Sequence, residues 1–405
     1  MLVDDILKVL YAPQKAFKEI VRNPKYLGPF ILLIIFLVAS IGSSYVVASR
    51  SYVEQTMPTT NQGDVWTENA TLWTASPGVV ITNNYFDFIN ASSYFGSTSV
   101  EFAANNVTNI QMALNGLDGS VNCGVGGFQN ISFRVKLVNP NVKPVNVTLY
   151  LYSLSELNFF SYDLTSMFSS NSTGSVWNNM TIPVGPNASW TRINTATWDN
   201  ITTLKMSFAW PTSSSIELLV DGLFFRGVFQ TPLEIYGVSY FGTSALNAVT
   251  PFIFQWLLLT GLIYIMIKGL KGNVTWKPLM VAIGFALITL VIQALILIVV
   301  YTGLPKIYYP LEVLAGVPGE SNVAYQVISN EVAQISLIAG IVQAVVYAWI
   351  VALGAIITRD VTAPLTTPAA EGLQGVQQFG WLKSILISAA SFLLTLLILS
   401  YVIGV

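Results

Sequence analysis

PLMVAIGFALITLVIQALILIVVY, residues 278–301, contains no Asp, Glu, Lys or Arg, and four further runs of the 405-residue chain share this property. These runs are 29–49, 248–267, 332–357 and 384–403. A helix needs about 20 residues to cross a hydrocarbon layer that is ~30 Å thick. Because a backbone in lipid must satisfy its own hydrogen bonds, the runs predict five transmembrane α-helices.

The composition excludes several classes of protein. Charged residues make up 9% of the chain, whereas soluble domains contain roughly 25%. The net charge of −2 offers no basic surface to nucleic acid. There is no histidine and only one cysteine, Cys123, which argues against zinc sites, histidine-based triads and intramolecular disulfides. We therefore expect an integral membrane protein that is not an enzyme, requires no cofactor and binds no nucleic acid.

Lys and Arg are concentrated on one side of the predicted helices. Residues 1–28 hold five of them and the loop 268–277 holds three, whereas the loop 302–331 holds only Lys306. Because cytoplasmic loops carry the excess of positive charge, we expect a multi-pass protein of the cell membrane with a cytoplasmic N-terminus. The block 50–247 and the C-terminus are then extracellular. The last four helices would form a transmembrane bundle within 248–405.

The block 50–247 is rich in Asn-x-Ser/Thr sequences, which accept N-linked glycans only on an exported surface. The asparagines predicted to be glycosylated are Asn69, Asn90, Asn106, Asn130, Asn146, Asn171, Asn179, Asn187 and Asn200. Chance occurrence in a stretch rich in Asn, Ser and Thr is the alternative. Asn273 also matches, but it lies in the basic loop and is expected to stay unmodified.

The segment 1–28 has the pattern of an amphipathic, cytoplasmic segment, with apolar patches opposite its lysines. Ile6 and Leu10 belong to one patch, and Phe17 and Ile20 belong to another. Such a segment suits the interface with anionic lipid headgroups, so membrane lipid is an expected partner. A flank that packs on the helical bundle is the alternative, and the two interpretations are compatible.

Apolar residues recur at every second position in the block between the first two runs, as in half-buried β-strands. Leu204, Met206 and Phe208 would face one way, and Thr203 and Lys205 the other. Turn-forming clusters separate these runs, so the block predicts an extracellular all-β sandwich of the jelly-roll type. It is poor in charge and rich in hydroxyl groups. This composition suits an acidic environment, in which carboxylates are neutral, and we expect a prokaryotic acidophile as the source.

SWTRINTATWDNITTLKMSFAWPTSSSIELLVDGLFFRGVF, residues 189–229, resembles the closing strands of galactose-binding-like jelly rolls in carbohydrate-binding modules. In such modules an acid near the last strand often helps to hold a structural Ca²⁺, and Asp221 is the matching position. A turn with Gly222 is the alternative role. Trp66, Trp73 and Trp177 lie in turn-like sequence and are candidates for stacking on sugar rings, although Trp in a sandwich more often belongs to the core.

The fourth run carries a ladder of small residues that permits close approach of another helix. These residues are Gly340, Ala344, Ala348 and Ala352. YAPQKAFKEIVRNPKYLGP, residues 11–29, together with five predicted helices, resembles the Yip-domain family of five-helix membrane proteins. The resemblance covers 1–49 and 248–405, and it implies that the sandwich is inserted after the first helix. Eukaryotic members associate with small GTPases, but no GTPase-contact motif is identifiable in this chain.

The expected function is that of a membrane protein that displays a glycosylated sandwich outside the cell and helps to organise the envelope. The expected contacts of this sandwich are a glycan, a surface-layer protein or other membrane subunits. Two alternatives remain open. One is a transport or channel component with the sandwich as its outer module, and the other is an accessory subunit of a larger membrane complex.

Glycosylation provides a test of the predicted topology. Peptide mass spectrometry of the protein from its native host should find hexose on several of the nine asparagines in the block 50–247, because these would face the outside. Asn273 serves as the internal control and should be bare. Unmodified asparagines throughout the block would remove the independent support for its export.

Overall fold

The computed structural model describes residues 2–88, 94–117, 119–169, 173–174, 176–362 and 378–403. The chain divides into two compact units. The helical unit consists of Met1–Ser51, Thr231–Ile307 and Ser329–Val405, and the β unit consists of Tyr52–Gln230 and Tyr308–Ile328. The chain therefore contributes two separate segments to the β unit.

The described residues include five helices that are long and apolar enough to cross a membrane, namely α3, α6, the pair α7–α8, α10 and α11. The helices are α1 (Leu2–Tyr11), α2 (Pro13–Arg22), α3 (Leu27–Arg50), α4 (Val65–Glu68), α5 (Pro232–Tyr236), α6 (Val238–Gly269), α7 (Trp276–Ala286), α8 (Ile288–Tyr301), α9 (Leu311–Leu314), α10 (Glu320–Val361) and α11 (Trp381–Ile403). The predicted fold class, a membrane helix bundle with an antiparallel β-sandwich, is confirmed.

The boundaries of the units differ from those read from the sequence. Strand structure ends at Gln230, and the helix predicted at 248–267 begins already at Val238. The switch follows a capping box, in which Thr231 Oγ1 accepts from the Glu234 amide and Glu234 accepts from the Thr231 amide at 2.7 Å. Residues 231–247 are thus not part of the sandwich. The segment 308–328 belongs to the β unit instead.

The N-terminal helices pack on the helical bundle. Val9 and Phe17 are fully buried, and Ala16 and Ile20 are nearly so. All four belong to one hydrophobic core with residues of α6 and α7, such as Leu279. The sequence alternative of a flank that packs on the bundle therefore describes the apolar faces of α1 and α2.

The small-residue ladder lies on an exposed face of α10 and not at a helix contact within the part of the chain that the structure describes. Gly340, Ala344, Ala348 and Ala352 are all exposed, so the close approach of another helix to this ladder stays a prediction. The buried side of α10 carries other residues, because that side faces α11. There Gly354 lies so close to Ser388 that a Cβ would clash with the serine side chain.

The β unit is an antiparallel sandwich whose two layers share two long strands. The strands are β1 (Ser51–Met57), β2 (Trp73–Ala75), β3 (Val80–Asn84), β4 (Ser99–Asn115), β5 (Asn130–Asn139), β6 (Asn146–Ser153), β7 (Ser155–Asp163), β8 (Trp177–Pro183), β9 (Thr191–Ile193), β10 (Ile201–Gln230) and β11 (Ile307–Tyr309). The first part of β10 lies between β4 and β6, and its later part lies between β4 and β5. We call these the front layer and the back layer.

Strand β10 passes from one layer to the other through an irregularity in its pairing with β4. The register shifts between Ala209 and Ser214, and again between Ser214 and Ile216. Such bulges bend strands at the corners of sandwiches. Side chains on the inner faces of both layers, for example Met206 and Val220, form one fully buried core.

Ion pairs attach the segment 308–328 to the sandwich. The Arg226 guanidinium donates to Glu54 at 2.7 and 2.9 Å and to Glu312 at 2.6 and 2.8 Å. Glu54 Oε2 also accepts from the Leu311 amide at 2.7 Å. Arg134 reaches Glu320 at 3.1 Å. Because Arg226 and Arg134 are largely buried, each depends on these carboxylates for its charge.

We therefore predict that segment 52–230 alone is less stable than the same segment joined by a flexible linker to 308–328. Loss of Glu312 leaves a largely buried charge without one of its two partners, at a cost of about 3 kcal/mol. Thermal unfolding followed by circular dichroism measures the difference. Glu312→Ala in the joined protein should remove most of the gain, whereas the exposed control Glu156→Ala should not. Equal melting temperatures for the single and joined segments would contradict the prediction.

Candidate functional site

The outward side of the front layer, which we call the front face, carries polar and aromatic side chains in rows across the strands. In β10, Leu204 and Met206 are buried, so Thr203 and Lys205 point outward. Thr203 pairs with Asn115 of β4 and with Tyr152 of β6. The alternation that fills the core therefore also aligns hydrogen-bonding groups and aromatic rings on one surface.

Three aromatic rings form a ledge on the front face. Tyr150 lies opposite Lys205, and Tyr152 lies opposite Phe159 of β7. The ring centroids of Tyr152 and Phe159 are 5.4 Å apart, and those of Tyr150 and Phe159 are 5.7 Å apart. All three side chains are half-buried. Each ring is thus held by its neighbours while part of its surface stays open.

A polar groove of about 510 Å³ borders this ledge and has Tyr152 in its wall. Its size lies within the range of small-molecule sites. The other polar residues of its lining are Thr74, Ser76, Gln111, Asn115, Ser155, Glu156, Thr202, Thr203 and Lys205. Only Glu156 and Lys205 are charged. Hydroxyl and amide groups both donate and accept hydrogen bonds, so the groove suits a neutral, hydroxyl-rich ligand.

The structure buries two of the three tryptophans predicted to stack on sugars. Trp66 is 2% exposed and Trp73 is 4% exposed, so the expectation of exposed rings is wrong for both. The Trp73 indole donates to the Trp66 carbonyl at 2.7 Å, and both rings pack in the sandwich core. Trp177 is half-buried on the back layer, with its ring centroid 6.2 Å from that of Phe88.

Sequence reasoning missed the ledge, although a signal was present. Val147, Leu149 and Leu151 alternate as core residues of β6. The alternate residues of the strand must therefore face the other way, and these include Tyr150 and Tyr152. The prediction considered only tryptophans as stacking residues, whereas the two-residue period of β6 places tyrosines on the surface.

A second aromatic groove, of about 400 Å³, lies at the edge of the front layer and contains Trp190 and Trp198. These indoles meet edge to face at 5.6 Å, and Trp198 stacks on Phe160 at 3.8 Å. The Trp190 indole donates to the Pro183 carbonyl at 2.7 Å. Both tryptophans therefore support the core while they line a groove, and they are the competing candidates for a stacking surface.

Asp221 belongs to a buried group of carboxyls. Its oxygens accept from the Gly222 amide at 2.7 Å and from the Phe88 amide at 2.9 Å. Its side chain also hydrogen-bonds those of Asp64 and Asp87. Two carboxyl groups bond to each other only when they share a proton. Burial raises the pKa of Asp64 to about 7 and that of Asp221 to about 8. Charge repulsion by Glu68 also raises the pKa of Asp64, and repulsion by Asp64 also raises that of Asp221.

This arrangement does not favour Ca²⁺ at Asp221. Calcium takes six to eight oxygen ligands. Across the described ranges, no group of three His, Cys, Asp or Glu side chains is arranged to hold a metal ion. The interaction with Gly222, which was the alternative role, is present as a hydrogen bond. Calcium binding stays a prediction that a chelator would test.

The described asparagines of the predicted glycosylation sites differ in exposure. Five are exposed, namely Asn69, Asn106, Asn146, Asn179 and Asn187. Asn130 and Asn200 are half-buried. Asn90 and Asn171 lie outside the described residues. The exposed group offers amides that an enzyme can reach on the folded protein, and glycosylation itself stays a prediction.

Comparison with solved structures finds carbohydrate-binding modules among the matches. No protein-family model matches the chain, and no curated protein matches it, so the Yip resemblance stays a prediction. Solved structures that match include a family 11 carbohydrate-binding module from Clostridium thermocellum in complex with a beta-1,3-1,4-mixed-linked tetrasaccharide. The two are 16% identical, with 42% of this chain and 94% of the module covered and a TM-score of 0.28.

Two further matches are also carbohydrate-binding modules. One is the family 11 module of the C. thermocellum cellulosomal cellulase Lic26A-Cel5E, at 15% identity, 38% and 84% coverage and a TM-score of 0.25. The other is TmCBM61 in complex with beta-1,4-galactotriose, at 12% identity, 41% and 96% coverage and a TM-score of 0.22. Such low scores leave the ligand of this sandwich to be inferred from its own residues.

The carboxyl group predicts a stability that falls as pH rises. Asp64 and Asp221 have raised folded-state pKa values, so their contribution is fully present below the unfolded value of 3.8 and is lost as pH rises through about 7 to 8. The slope is about 1.4 kcal/mol per pH unit for each group. Asp221→Asn should flatten the fall in melting temperature between pH 4 and 8, and the exposed control Asp199→Asn should not. A slope unchanged by Asp221→Asn would contradict this assignment.

Proposed function

We propose that the protein is a non-enzymatic, multi-pass membrane protein that binds neutral glycan through the front face of its sandwich. The observation that carries this proposal is the ledge of Tyr150, Tyr152 and Phe159 beside a groove of hydroxyl and amide groups. Sugar rings present apolar faces and several hydroxyls at once. A half-open aromatic ring offers a large, rigid surface to the apolar face of a sugar ring, and the groove offers hydrogen bonds to the sugar hydroxyls.

The proposed topology places this face outside the cell. The basic residues of 1–28 and 268–277 support a cytoplasmic N-terminus. The first segment of the β unit follows one crossing, α3, and the second follows three crossings, the last of which is α7–α8. Both segments would then lie on the outer side, because each follows an odd number of crossings. In this arrangement the protein would connect the membrane to a surface polysaccharide, and so help to organise the envelope.

The charges of the groove beside the ledge also favour a neutral ligand. Lys205 and Glu156 are the charged residues of the groove and have opposite signs, so the groove carries no net charge with which to attract an ionic polymer. The Tyr152 phenol stays protonated, because burial and the neighbouring Tyr150 and Glu156 raise its pKa. It can therefore donate a hydrogen bond throughout the physiological pH range.

The test is binding of the host's surface polysaccharide to the full-length protein in lipid nanodiscs. Tyr152→Ala should weaken binding at least tenfold, because the sugar loses the wall shared by ledge and groove. Tyr85→Ala is the matched control, since Tyr85 is 86% exposed and lies outside the front face. Circular dichroism verifies that both variants keep the sandwich.

Two results would contradict the proposal in different ways. Loss of binding in Trp190→Ala, with Tyr152→Ala unchanged, would move the site to the second aromatic groove. No binding of any glycan, together with a protein that co-purifies in mild detergent, would favour a docking function.

A further inference from the structure

The helical unit has an open cavity of about 480 Å³ that is lined by α3, α6 and α8, and we call it the polar cavity. Polar residues of its wall include Ser40 and Ser44 of α3, Thr243 and Asn247 of α6, and Gln293 of α8. Membrane-spanning helices normally turn apolar side chains toward one another or toward lipid. A concentration of hydroxyls and amides between three of them therefore needs an explanation.

Gln255 of α6 provides the second observation. It lines the polar cavity, and its side chain is only 7% exposed. Among the described residues nothing accepts a hydrogen bond from its Nε2. Water is scarce at this depth, so a buried amide donor requires a partner. The orphaned donor thus points to a ligand that supplies an acceptor.

The charge of the wall restricts the class of ligand. Among the described residues, no Asp, Glu, Lys or Arg lines the polar cavity. A charged group at this depth would remain uncompensated in a medium of low dielectric constant. Serine, threonine, asparagine and glutamine instead match the donors and acceptors of uncharged hydroxyl groups. The ligand must therefore have a neutral, hydroxylated part.

The shape of the polar cavity indicates an attached apolar part. Along α6 the lining runs from Tyr240 to Gln255, which corresponds to about 22 Å of helix. Its apolar floor includes Phe36, Phe252 and Leu290. The mouth has exposed residues, Thr243 and Asn247, whereas the deep end at Gln255 is closed. A small polar solute would leave this apolar surface without contacts.

We propose that the polar cavity binds the uncharged, polyhydroxylated headgroup of a membrane amphiphile, with Gln255 as a hydrogen-bond donor to it. This inference is independent of glycan binding at the front face, because it concerns a different unit of the protein. It assigns a lipid-derived ligand to helices whose apolar sequence suggests anchoring alone.

The test uses the full chain in a polyoxyethylene detergent, which contains no sugar, with octyl β-D-glucoside added below its critical micelle concentration. We expect one retained octyl glucoside per chain in native mass spectrometry and a raised melting temperature. Glucose tests a free polyol as the source, and octyl phosphocholine presents a charged headgroup on the same tail. Neither should reproduce the shift.

Gln255→Leu separates a binding role from a structural one. Leucine has a similar size and removes the unpaired amide, so the ligand-free variant should melt no lower than the native protein. It should bind octyl glucoside at least tenfold more weakly. Asn247→Leu, at the exposed mouth, provides a second variant with the same expected loss of binding. Gln334→Leu is the matched control, since Gln334 is exposed on α10 and outside the lining.

Three results would overturn the proposal. The first is an unchanged octyl glucoside shift in both Gln255→Leu and Asn247→Leu. The second is an equal shift with glucose, which would assign the polar cavity to a free polyol. The third is an equal shift with octyl phosphocholine, which would contradict the requirement for a neutral headgroup.

Discussion

The Arg226 guanidinium, held between Glu54 and Glu312, is the interaction on which the β unit depends. It joins residues that are far apart in the sequence, at the point where two segments of the chain meet. Burial alone would lower the pKa of this guanidinium, but the hydrogen bonds that it donates to Glu312 and Glu54 raise it. A buried charge with two partners stays ionised, and it becomes costly when either partner is removed.

A small apolar core reinforces this junction. Phe224 of β10 and Phe95 lie edge to face at 5.6 Å, and they pack with Leu311 and Val317 of the second segment. The charges fix the position of the segment, because guanidinium and carboxylate have directional, bidentate geometry. The rings and aliphatic side chains add contact without direction. Together they explain why a stretch between two apolar helices belongs to a β-sandwich.

The same unit contains two groups of acids with opposite responses to pH. Although burial raises it, the pKa of Glu312 is lowered overall by Arg226, so its contribution to stability is lost as pH falls. The buried pair of Asp64 and Asp221 shows the reverse behaviour. Both groups contribute to stability under moderately acidic conditions, because the pair keeps its shared proton while Glu312 keeps its charge.

Much of the fold could be predicted from the sequence, because the helices and the strands each produce a pattern that is visible within a short stretch of residues. Absence of charge over ~20 residues identified the five helices, and period-two alternation identified the strands. The predicted boundary between the sandwich and the second long helix differs from the observed one, because a local capping box and not a change in hydrophobicity marks it. The chain turns helical at Thr231 through a capping box, while the residues that follow are still polar enough to read as an exposed block.

The site was harder to predict because exposure depends on long-range register. Trp66 and Trp73 are in turn-like sequence, yet both are buried in the core, where the Trp73 indole donates a hydrogen bond to the Trp66 carbonyl. Tyr152 reaches the front face because β6 pairs with β10, and only that pairing places it beside Lys205 and Thr203. Likewise, the regular spacing of Ala344 and Ala348 shows that they share a helix face but not which way that face points.

The pairing of β1 with the end of β10 brings the two ends of the 52–230 segment together. Val53 lies opposite Gln230, so the sandwich begins and ends on neighbouring antiparallel strands. Such strands are about 5 Å apart. A module whose ends are adjacent can enter a short interhelical turn without forcing the flanking helices apart. The 52–230 segment therefore has the geometry of a cassette, and Glu312 of the second segment of the β unit is bound to it through Arg226.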